Sequence, residues 1–206
     1  MIKEIRITTE DFFIGNFGCP EATDEIIGAC TKSLNVDEDD ALWQEACVGV
    51  EDTPDHRCRE CYLSWIDVSN VNFIEHGYRK VIENVNDMIW KMDLDHKWET
   101  DLQYTKYIGK GHHYDWHKDH YDEDIYPGHS GNTRRLTMVY CLSHKEDYRG
   151  GEFQIKTSKG ATDPGKMSIY TRRFDYGDFI VFPSKILHRV KPLKSGTRIT
   201  LVGWYS

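Results

Sequence analysis

The chain has 206 residues and a formal net charge of −8, with 39% hydrophobic and 13% aromatic residues. This length suits one domain, and the composition supports a packed core, which argues against intrinsic disorder. Basic residues are dispersed rather than clustered, which disfavours tight nucleic-acid binding. No run approaches the roughly 20 apolar residues of a membrane span, and the N-terminus lacks the apolar core of a signal peptide. We therefore expect a cytoplasmic protein that binds neither nucleic acid nor membrane.

The six cysteines raise the question of disulfides. A chain of this length without an export signal is expected to keep its cysteines reduced. Cys58 and Cys61 have the spacing of half a zinc site or of a redox motif, but the chain has no second CxxC. We interpret these two residues as packed or unreactive thiols on a strand or loop.

The first part of the chain alternates between strand and helix patterns. Residues 1–15 predict a short strand, followed by a turn at Gly15 and Asn16. Apolar residues at helical spacing predict a helix over 21–33, where acidic residues suit the first turn. Residues 43–66 contain two strand-like runs, separated by a turn.

A second helix has the clearest pattern of the sequence. Either Ser69 or Asn70 can serve as its N-terminal cap. Its apolar residues follow at intervals of three and four, which predicts a stripe that packs against a sheet. They are Val71, Ile74, Tyr78, Val81, Val85, Met88 and Met92. The acidic run at 37–40 is interpreted as a solvated loop, since it lacks the ligand spacing of a calcium loop.

From residue 102 onward, eight short strand-type runs alternate with turns rich in Gly, Pro, Asp and Asn. This rhythm is typical of a sandwich or jelly roll. Residues 119–132 form a long acidic stretch that contains glycine, and we expect a rim or lid there.

The stretch YIGKGHHYDWHKD, residues 107–119, is the centre of the functional argument. His117 and Asp119 stand two residues apart, so a strand would point both side chains to the same side. His188, in LHRV, could supply a third ligand. Two histidines and one carboxylate on one face of a metal leave the other face open, as in non-haem Fe(II) oxygenases. The alternative is an exposed polar pair together with a surface histidine.

Arg198 follows His188 by ten residues, in the run RITLVGW. Strand alternation places Arg198, Thr200, Val202 and Trp204 on one face, which resembles the wall of a pocket with polar contacts. A guanidinium matches a carboxylate in a two-pronged bond, so Arg198 could bind the distal carboxylate of a dicarboxylic co-substrate. The alternative is a surface arginine on an edge strand.

Other histidines compete for the metal. His120 is three residues from His117 and would face away from it on a strand. His112 and His113 lie upstream, where two glycines suggest a loop. We expect these three histidines to be solvated.

These segments resemble the Fe(II)- and 2-oxoglutarate-dependent dioxygenases, and among them the prolyl 4-hydroxylase-like group with its bacterial PKHD-type hydroxylases. The matching segments are LQYTKYIGKGHHYDWHKD, RRLTMVYCLS, YRGGEF and YGDFIVFPSKILHRVKPLKSGTRITLVGW. The resemblance implies an α+β, mainly β fold, in which a double-stranded β-helix (jelly roll) at 102–206 is supported by N-terminal helices. It also implies one domain over 1–206, with a helical and strand preface at 1–101.

The resemblance implies the metal and the reaction. His117, Asp119 and His188 match the iron ligands and thus the catalytic centre. The implied cofactors are Fe(II), 2-oxoglutarate as co-substrate, O2 and ascorbate. The implied reaction hydroxylates an aliphatic C–H bond and releases succinate and CO2.

The resemblance also implies how the co-substrate is held. Arg198 matches the basic residue that binds the C5 carboxylate of 2-oxoglutarate. Tyr107 matches a tyrosine that shares this carboxylate, and Tyr104 remains an alternative because the spacing to His117 is longer than in many members. Thr200 lies on the same wall.

Three further residues match positions that line the substrate groove of prolyl hydroxylases: Tyr114, Arg135 and Trp204. Their alternative interpretations are a core tyrosine, an arginine at a strand end and a core tryptophan. The implied substrate is a peptidyl prolyl residue or another protein side chain. The alternatives are a small-molecule hydroxylase of the same class and a non-catalytic sensor that binds metal or 2-oxoglutarate.

Overall fold

The computed structural model describes residues 4–18, 20–33, 43–46, 55–67, 72–96, 101–120, 134–158 and 167–206. Within these ranges the chain forms two helices, α1 (Pro20–Ser33) and α2 (Asn72–Ile89). The strands are β1 (Glu4–Thr8), β2 (Phe13–Asn16), β3 (Gln44–Glu45), β4 (Arg59–Glu60), β5 (Tyr62–Ile66), β6 (Leu102–Ile108), β7 (His113–His117), β8 (Leu136–Cys141), β9 (Tyr148–Gly150), β10 (Phe153–Thr157), β11 (Ser168–Arg172), β12 (Asp178–Pro183), β13 (His188–Val190) and β14 (Leu193–Tyr205).

The described strands form two sheets with antiparallel pairing. The larger sheet has the order β1-β2-β12-β8-β14-β6-β5-β3, and β9 also pairs with β14. The smaller sheet has the order β11-β10-β13-β7-β4. These two sheets are the two sides of a jelly roll, so the predicted fold class is confirmed.

Alternation along the strands of the larger sheet separates two cores. On β8, Leu136, Met138 and Tyr140 pack with residues of α1 and α2. Val139 and Cys141, on the other face of β8, pack with residues of the smaller sheet. The larger sheet therefore lies between the helices and the smaller sheet.

Both predicted helices are confirmed, with a change in the apolar stripe of the second. Among the described side chains of α2, the buried hydrophobic residues are Tyr78, Val81, Ile82 and Val85. Met88, which was expected in the stripe, is 53% exposed. Ile89, the next residue, packs against the core instead. A helix has 3.6 residues per turn, so a series of three-residue steps moves gradually away from the buried face. The expected caps of this helix lie outside the described residues.

The N-terminal turn was predicted wrongly. Gly15 and Asn16 belong to β2, where they pair with Phe179 and Asp178 of β12. A Cβ atom on Gly15 would come within 2.5 Å of the Phe179 ring. The glycine is therefore needed for close packing between strands, which from sequence alone is hard to distinguish from a turn.

The remaining predictions concern the strands. Each of the eight predicted runs after residue 102 contains a strand, and β9 is an additional short strand. Of the strand-like runs at 43–66, the described residues form β3, β4 and β5, and residues 47–54 lie outside the described ranges. The acidic run at 37–40 and most of the expected rim, residues 121–132, lie outside the described residues. Within the described residues, no helix is both long and apolar enough to cross a membrane.

Candidate metal and co-substrate site

The pairing of two strands in the smaller sheet places two histidines opposite each other. His117 ends β7 and is the register partner of His188, which begins β13. Their ring centroids are 4.1 Å apart. Asp119 lies just beyond β7, where its backbone N–H donates to the carbonyl of Ser184 at 2.9 Å. That bond fixes the aspartate to the turn that precedes His188.

The three side chains converge with their ligating atoms on one point. His117 Nε2 lies 3.5 Å from Asp119 Oδ1, and His188 Nε2 lies 3.4 Å from Asp119 Oδ2. Two ligands at right angles on one ion, each about 2.1 Å from it, lie about 3 Å apart. The geometry therefore suits a common ion with small adjustments, and the predicted triad is assembled as expected.

Hydrogen bonds fix how each ligand is oriented. His117 Nδ1 lies 2.7 Å from the carbonyl of Asp115, and His188 Nδ1 lies 2.9 Å from the carbonyl of Ile186. A carbonyl can only accept, so Nδ1 carries the proton in both rings and Nε2 is left to bind a metal.

The carboxylate is oriented by a hydroxyl on the larger sheet. The Thr137 hydroxyl, on β8, donates to Asp119 Oδ2 at 2.9 Å. Both residues are buried. With Oδ2 held by this bond, the other carboxylate oxygen, Oδ1, faces His117.

The site favours the protonation states that bind metals. Burial, aided by the neighbouring His188, lowers the pKa of His117 to about 4. Burial alone would raise the pKa of Asp119, but the adjacent His188 and His117 hold it well below its usual value. At neutral pH the first imidazole is therefore neutral and the carboxylate is ionised, as metal ligation requires.

The triad opens into a cavity between the sheets. Its lining residues are Arg59, Gln103, Thr105, Tyr107, Tyr114, His117, Asp119, Val139, Phe153, His188, Val190, Arg198, Thr200, Val202 and Trp204. The larger sheet contributes one wall through the paired strands β6 and β14. On that wall Tyr107 lies opposite Arg198, and Thr105 lies opposite Thr200. The alternation predicted for β14 is confirmed by the residues that line this wall.

Arg198 is buried in this wall with part of its guanidinium unpaired. The residue is 1% exposed, and its Nε and Nη2 atoms have no hydrogen-bond partner. Its guanidinium carbon lies 5.3 Å from the centroid of the Tyr107 ring. A buried cation without a counter-charge is costly, and a planar carboxylate would satisfy both its charge and its donors. The residues present therefore fit a dicarboxylate that reaches from the triad to Arg198.

Of the two candidate tyrosines, Tyr107 is the one that lines the cavity. Tyr104 lies three positions earlier on β6 and so faces the other way. It belongs to the helix-side core and stacks on Trp43, with a centroid distance of 5.6 Å. Tyr107 is thus placed to share a ligand with Arg198, and Tyr104 is not.

Two of the three residues expected in the substrate groove lie at the cavity. Tyr114 and Trp204 both line it. Tyr114 stacks on His117, with ring centroids 3.4 Å apart. Trp204 is 5% exposed, and its indole Nε1 has no hydrogen-bond partner.

The third, Arg135, does not lie at the cavity. Its side chain is exposed and is not part of the cavity lining. It lies just before β8, which begins at Leu136. The neighbouring Arg134 instead places its guanidinium 3.9 Å from the centroid of the Trp204 ring.

The three flanking histidines do not line the cavity of the triad. They are partly buried and not fully solvated as expected. The His112 side chain is 13% exposed and its Nδ1 accepts from the backbone N–H of Ile108 at 3.1 Å. His113 lies 3.1 Å from the carbonyl of Arg57 through Nε2, and His120 lies 3.1 Å from the carbonyl of Arg134 through Nδ1. These contacts hold the segments on either side of β7.

Two residues of the site were missed in the sequence. The sequence signal for Thr137 is weak, because it consists only of a polar residue on the same face of the strand as the apolar Val139. Arg59 gives a clearer signal, because alternation in CRECYLSWI places it with Cys61 and Leu63, all three of which are buried. The structure places Arg59 in the lining of the cavity.

A further group of potential ligand atoms lies elsewhere, formed by His144, Glu146 and Asp175. Lys145 Nζ lies 3.1 Å from the Asp175 carboxylate, and the group is largely exposed. The ammonium group of Lys145 therefore already neutralises the Asp175 carboxylate.

Comparison with known families gives a match over the second half of the chain. A model described as the 2OG-Fe(II) oxygenase superfamily matches residues 102–206. The chain is 27% identical over 118 residues to a PKHD-type hydroxylase of Crocosphaera subtropica, which is 57% of this chain and 48% of that relative. It is 33% identical over 103 residues to a PKHD-type hydroxylase of Prochlorococcus marinus, which is 50% of this chain and 40% of that relative. The chain thus spans about half the length of these relatives or less.

Two solved structures have the same fold. A prolyl hydroxylase from Trichoplax adhaerens, in complex with a hypoxia inducible factor peptide fragment, superposes with a TM-score of 0.73 at 17% identity, covering 96% of this chain and 84% of that one. A prolyl-4-hydroxylase from Pseudomonas putida gives a TM-score of 0.66 at 16% identity, covering 96% and 92%. At these identities the likeness concerns the fold.

Proposed function

Because the chain belongs to the 2OG-Fe(II) oxygenase superfamily, we propose that it is an Fe(II)- and 2-oxoglutarate-dependent hydroxylase. One observation carries this proposal. His117, Asp119 and His188 converge in the same cavity as Arg198, whose buried guanidinium has donors without partners. A metal-binding triad and a carboxylate-binding cation in one cavity are what a chelating 2-oxo acid requires.

Each residue of the cavity has a distinct role in this proposal. The triad holds the iron, and the Nδ1 bonds of the two histidines keep their Nε2 atoms on it. When bound, iron and 2-oxoglutarate supply an oxidative decarboxylation with O2 that yields succinate, CO2 and a hydroxylated aliphatic carbon. The protein binds, orients and shields these reactants from water.

Arg198 and Tyr107 bind the C5 carboxylate. Burial raises the pKa of the Tyr107 hydroxyl, so it stays protonated and can donate to the carboxylate. Thr200 lies on the same wall, two residues after Arg198 on the same face of β14. Together these residues set the length of the acid that fits between the guanidinium and the metal.

The proposed substrate is a protein or peptide side chain, in the first place a prolyl residue. The names of the two similar structures, both prolyl hydroxylases, support this choice. An exposed aromatic side chain also supports it, because Trp65 is 41% exposed and its ring centroid lies 6.1 Å from that of the cavity-lining Trp204. Aromatic surfaces suit a pyrrolidine ring, and the indole N–H of Trp204 could donate to a peptide carbonyl.

Two further features belong to the same proposal. Ascorbate keeps the iron reduced between turnovers, and the enzyme works in the cytoplasm. Cys30, Cys58, Cys61 and Cys141 are all free thiols, which fits a reducing compartment.

The test begins with binding and proceeds to turnover. Anaerobic addition of Fe(II) and 2-oxoglutarate should produce the weak visible charge-transfer band of the chelate. Aerobic incubation with a pool of proline-containing peptides should then give succinate, together with products heavier by one oxygen atom in mass spectrometry. A band without turnover on peptides or metabolites would favour a binding module, and absence of the band would refute the proposal.

A further inference from the structure

The cavity contains a second buried arginine that the proposed function leaves without a role. Arg59 belongs to β4 and pairs with Tyr114 of β7 at the edge of the smaller sheet. The residue is 7% exposed and lines the same cavity as the triad. It therefore brings a second positive charge to the site.

The partners of Arg59 are all neutral. Its Nε donates to the sulfur of Cys61 at 3.3 Å, and its Nη2 donates to Oε1 of Gln103 at 2.7 Å. Its guanidinium carbon lies 4.4 Å from the centroid of the Tyr114 ring. In the part of the chain that the structure describes, these hydrogen bonds go to neutral acceptors and no ion pair joins Arg59 to a carboxylate.

The charges that line the cavity are unbalanced. Among the lining residues, the cations are Arg59 and Arg198, and the single carboxylate is Asp119. That carboxylate already accepts from Thr137 and contacts the two histidines, so it cannot compensate either arginine. Under the proposed function one carboxylate of 2-oxoglutarate binds to Arg198. The charge of Arg59 remains uncompensated, which is costly at a buried position.

We propose that Arg59 is a second carboxylate-binding residue of this cavity. The inference rests on the proposed function and adds to it a requirement on the ligands. The carboxylate has two possible sources, the C1 carboxylate of 2-oxoglutarate and a carboxylate on the primary substrate next to the reacting carbon. Arg59 also lies over the Tyr114 ring that stacks on His117, so a carboxylate bound there would lie near the metal.

The test measures binding without turnover, by calorimetry with Mn(II) in place of iron. The first probes are 2-oxoglutarate, 2-oxopentanoate, which lacks the C5 carboxylate, and 4-oxopentanoate, which lacks the C1 carboxylate. The second pair, added to protein saturated with 2-oxoglutarate, is N-acetylproline and its amide. Each comparison isolates the contribution of one carboxylate.

Arg59→Gln removes the charge and retains a polar side chain. If Arg59 binds the C1 carboxylate, the variant weakens the affinities for 2-oxoglutarate and 2-oxopentanoate by about tenfold or more and leaves that for 4-oxopentanoate unchanged. If Arg59 binds a substrate carboxylate, 2-oxoglutarate binds as before, and the preference for N-acetylproline over its amide is lost. If Arg59→Gln changes neither comparison, the proposal is overturned.

Two further variants make the result interpretable. Arg59→Lys retains the charge and should lose less of the carboxylate preference than Arg59→Gln. Equal losses in the two variants would overturn the proposal. The lysine variant also provides the test if the glutamine variant does not fold. Arg189→Gln is the matched control, because Arg189 bonds to Gln154 and Asp115 and is not part of the cavity lining. It should leave every affinity unchanged.

Failure of this inference differs from failure of the proposed function. If wild-type protein binds no 2-oxoglutarate, the proposed function fails, and the N-acetylproline pair, titrated into the Mn(II) protein without 2-oxoglutarate, still tests Arg59. If 2-oxoglutarate binds with an affinity that depends on Arg198, but substitution of Arg59 alters no carboxylate preference, only the inference about Arg59 fails.

Discussion

His117 and His188 are register partners across the β7–β13 pair, although they are far apart in the sequence. This pairing brings the two imidazoles together. Asp119, two residues after His117 and just beyond the end of β7, supplies the third ligand. Since the histidines sit on strands and the aspartate is tied to Ser184, the ligand positions are held by the sheet. A site on rigid elements loses little freedom when a metal binds.

Asp119→Asn should abolish metal binding and hence turnover. The amide cannot supply the anionic oxygen that lies between the two imidazoles. Calorimetry with Mn(II) and a 2-oxoglutarate decarboxylation assay measure the two effects. Asp115→Asn is the control, since that exposed side chain lies on the same strand outside the cavity and should retain both activities. Full decarboxylation by Asp119→Asn would remove the triad from the mechanism.

Arg198→Met should weaken the binding of 2-oxoglutarate while the metal affinity stays near that of the wild type. Loss of a charged hydrogen bond costs roughly 1.5–3 kcal/mol, or about one to two decades of affinity. Titration of the charge-transfer band under anaerobic conditions measures the dissociation constant. Arg149→Met, at an exposed position of β9, is the control. An unchanged dissociation constant in Arg198→Met would mean that the acid is held elsewhere.

Local patterns were enough to predict the triad and the wall that contains Arg198. Strand alternation is strict, so spacing by two residues identifies the face on which a side chain lies. The same rule places Tyr107 rather than Tyr104 in the cavity once the face of Arg198 is known. Arg135 was expected in the substrate groove from the family resemblance rather than from alternation, and it precedes the first residue of β8 with its side chain exposed.

Other features depend on contacts that the sequence does not encode locally. Gly15 looks like a turn residue, yet it is required because the Phe179 ring packs against it from another strand. Alternation shows that Arg59 shares a face with Cys61 and Leu63, but not that this face meets the cavity, which follows only from the pairing of β4 with β7. Such effects are set by tertiary packing rather than by intrinsic propensity.

Gly151→Ala should lower both stability and the affinity for 2-oxoglutarate. This glycine has a φ of +63°, and an added Cβ would come within 2.5 Å of a Leu193 methyl carbon and 3.2 Å of Arg198 Cδ. Accommodating it therefore requires a shift of the arginine that binds the acid. Gly109→Ala is the matched control, with a φ of +70° and nothing within 4 Å of the added atom. It should show only the backbone strain of about 1–2 kcal/mol in thermal melting.

If Gly151→Ala and Gly109→Ala had the same affinity for 2-oxoglutarate, the contact with Arg198 would have no functional consequence. The dissociation constant is the informative measurement, because both variants are expected to lose stability.

Cys30 should resist alkylation in the folded protein, and its burial should make the protein less stable in alkali. Burial raises the pKa of this thiol from 9.0 to about 12. Between these pH values the unfolded chain releases the proton while the folded chain retains it, so the free energy of unfolding falls as the pH rises above 9. Denaturant titrations of wild type and Cys30→Ala across this range measure the effect. Iodoacetamide at neutral pH should label the exposed Cys58 before Cys30, and the reverse order would contradict the buried position.

Thr137→Val should weaken metal binding while the fold is retained. The substitution preserves the shape of the side chain and removes the hydroxyl that donates to Asp119 Oδ2 at 2.9 Å. Loss of such a partner to a ligand carboxylate typically costs about 10- to 100-fold in metal affinity. Competition with a chelator measures this affinity, and thermal melting without metal reports the structural effect separately. Thr171→Val, on an exposed position of β11, is the control and should behave like the wild type. If Thr137→Val binds Mn(II) as tightly as the control, the orientation of Asp119 depends on the backbone bond to Ser184 alone.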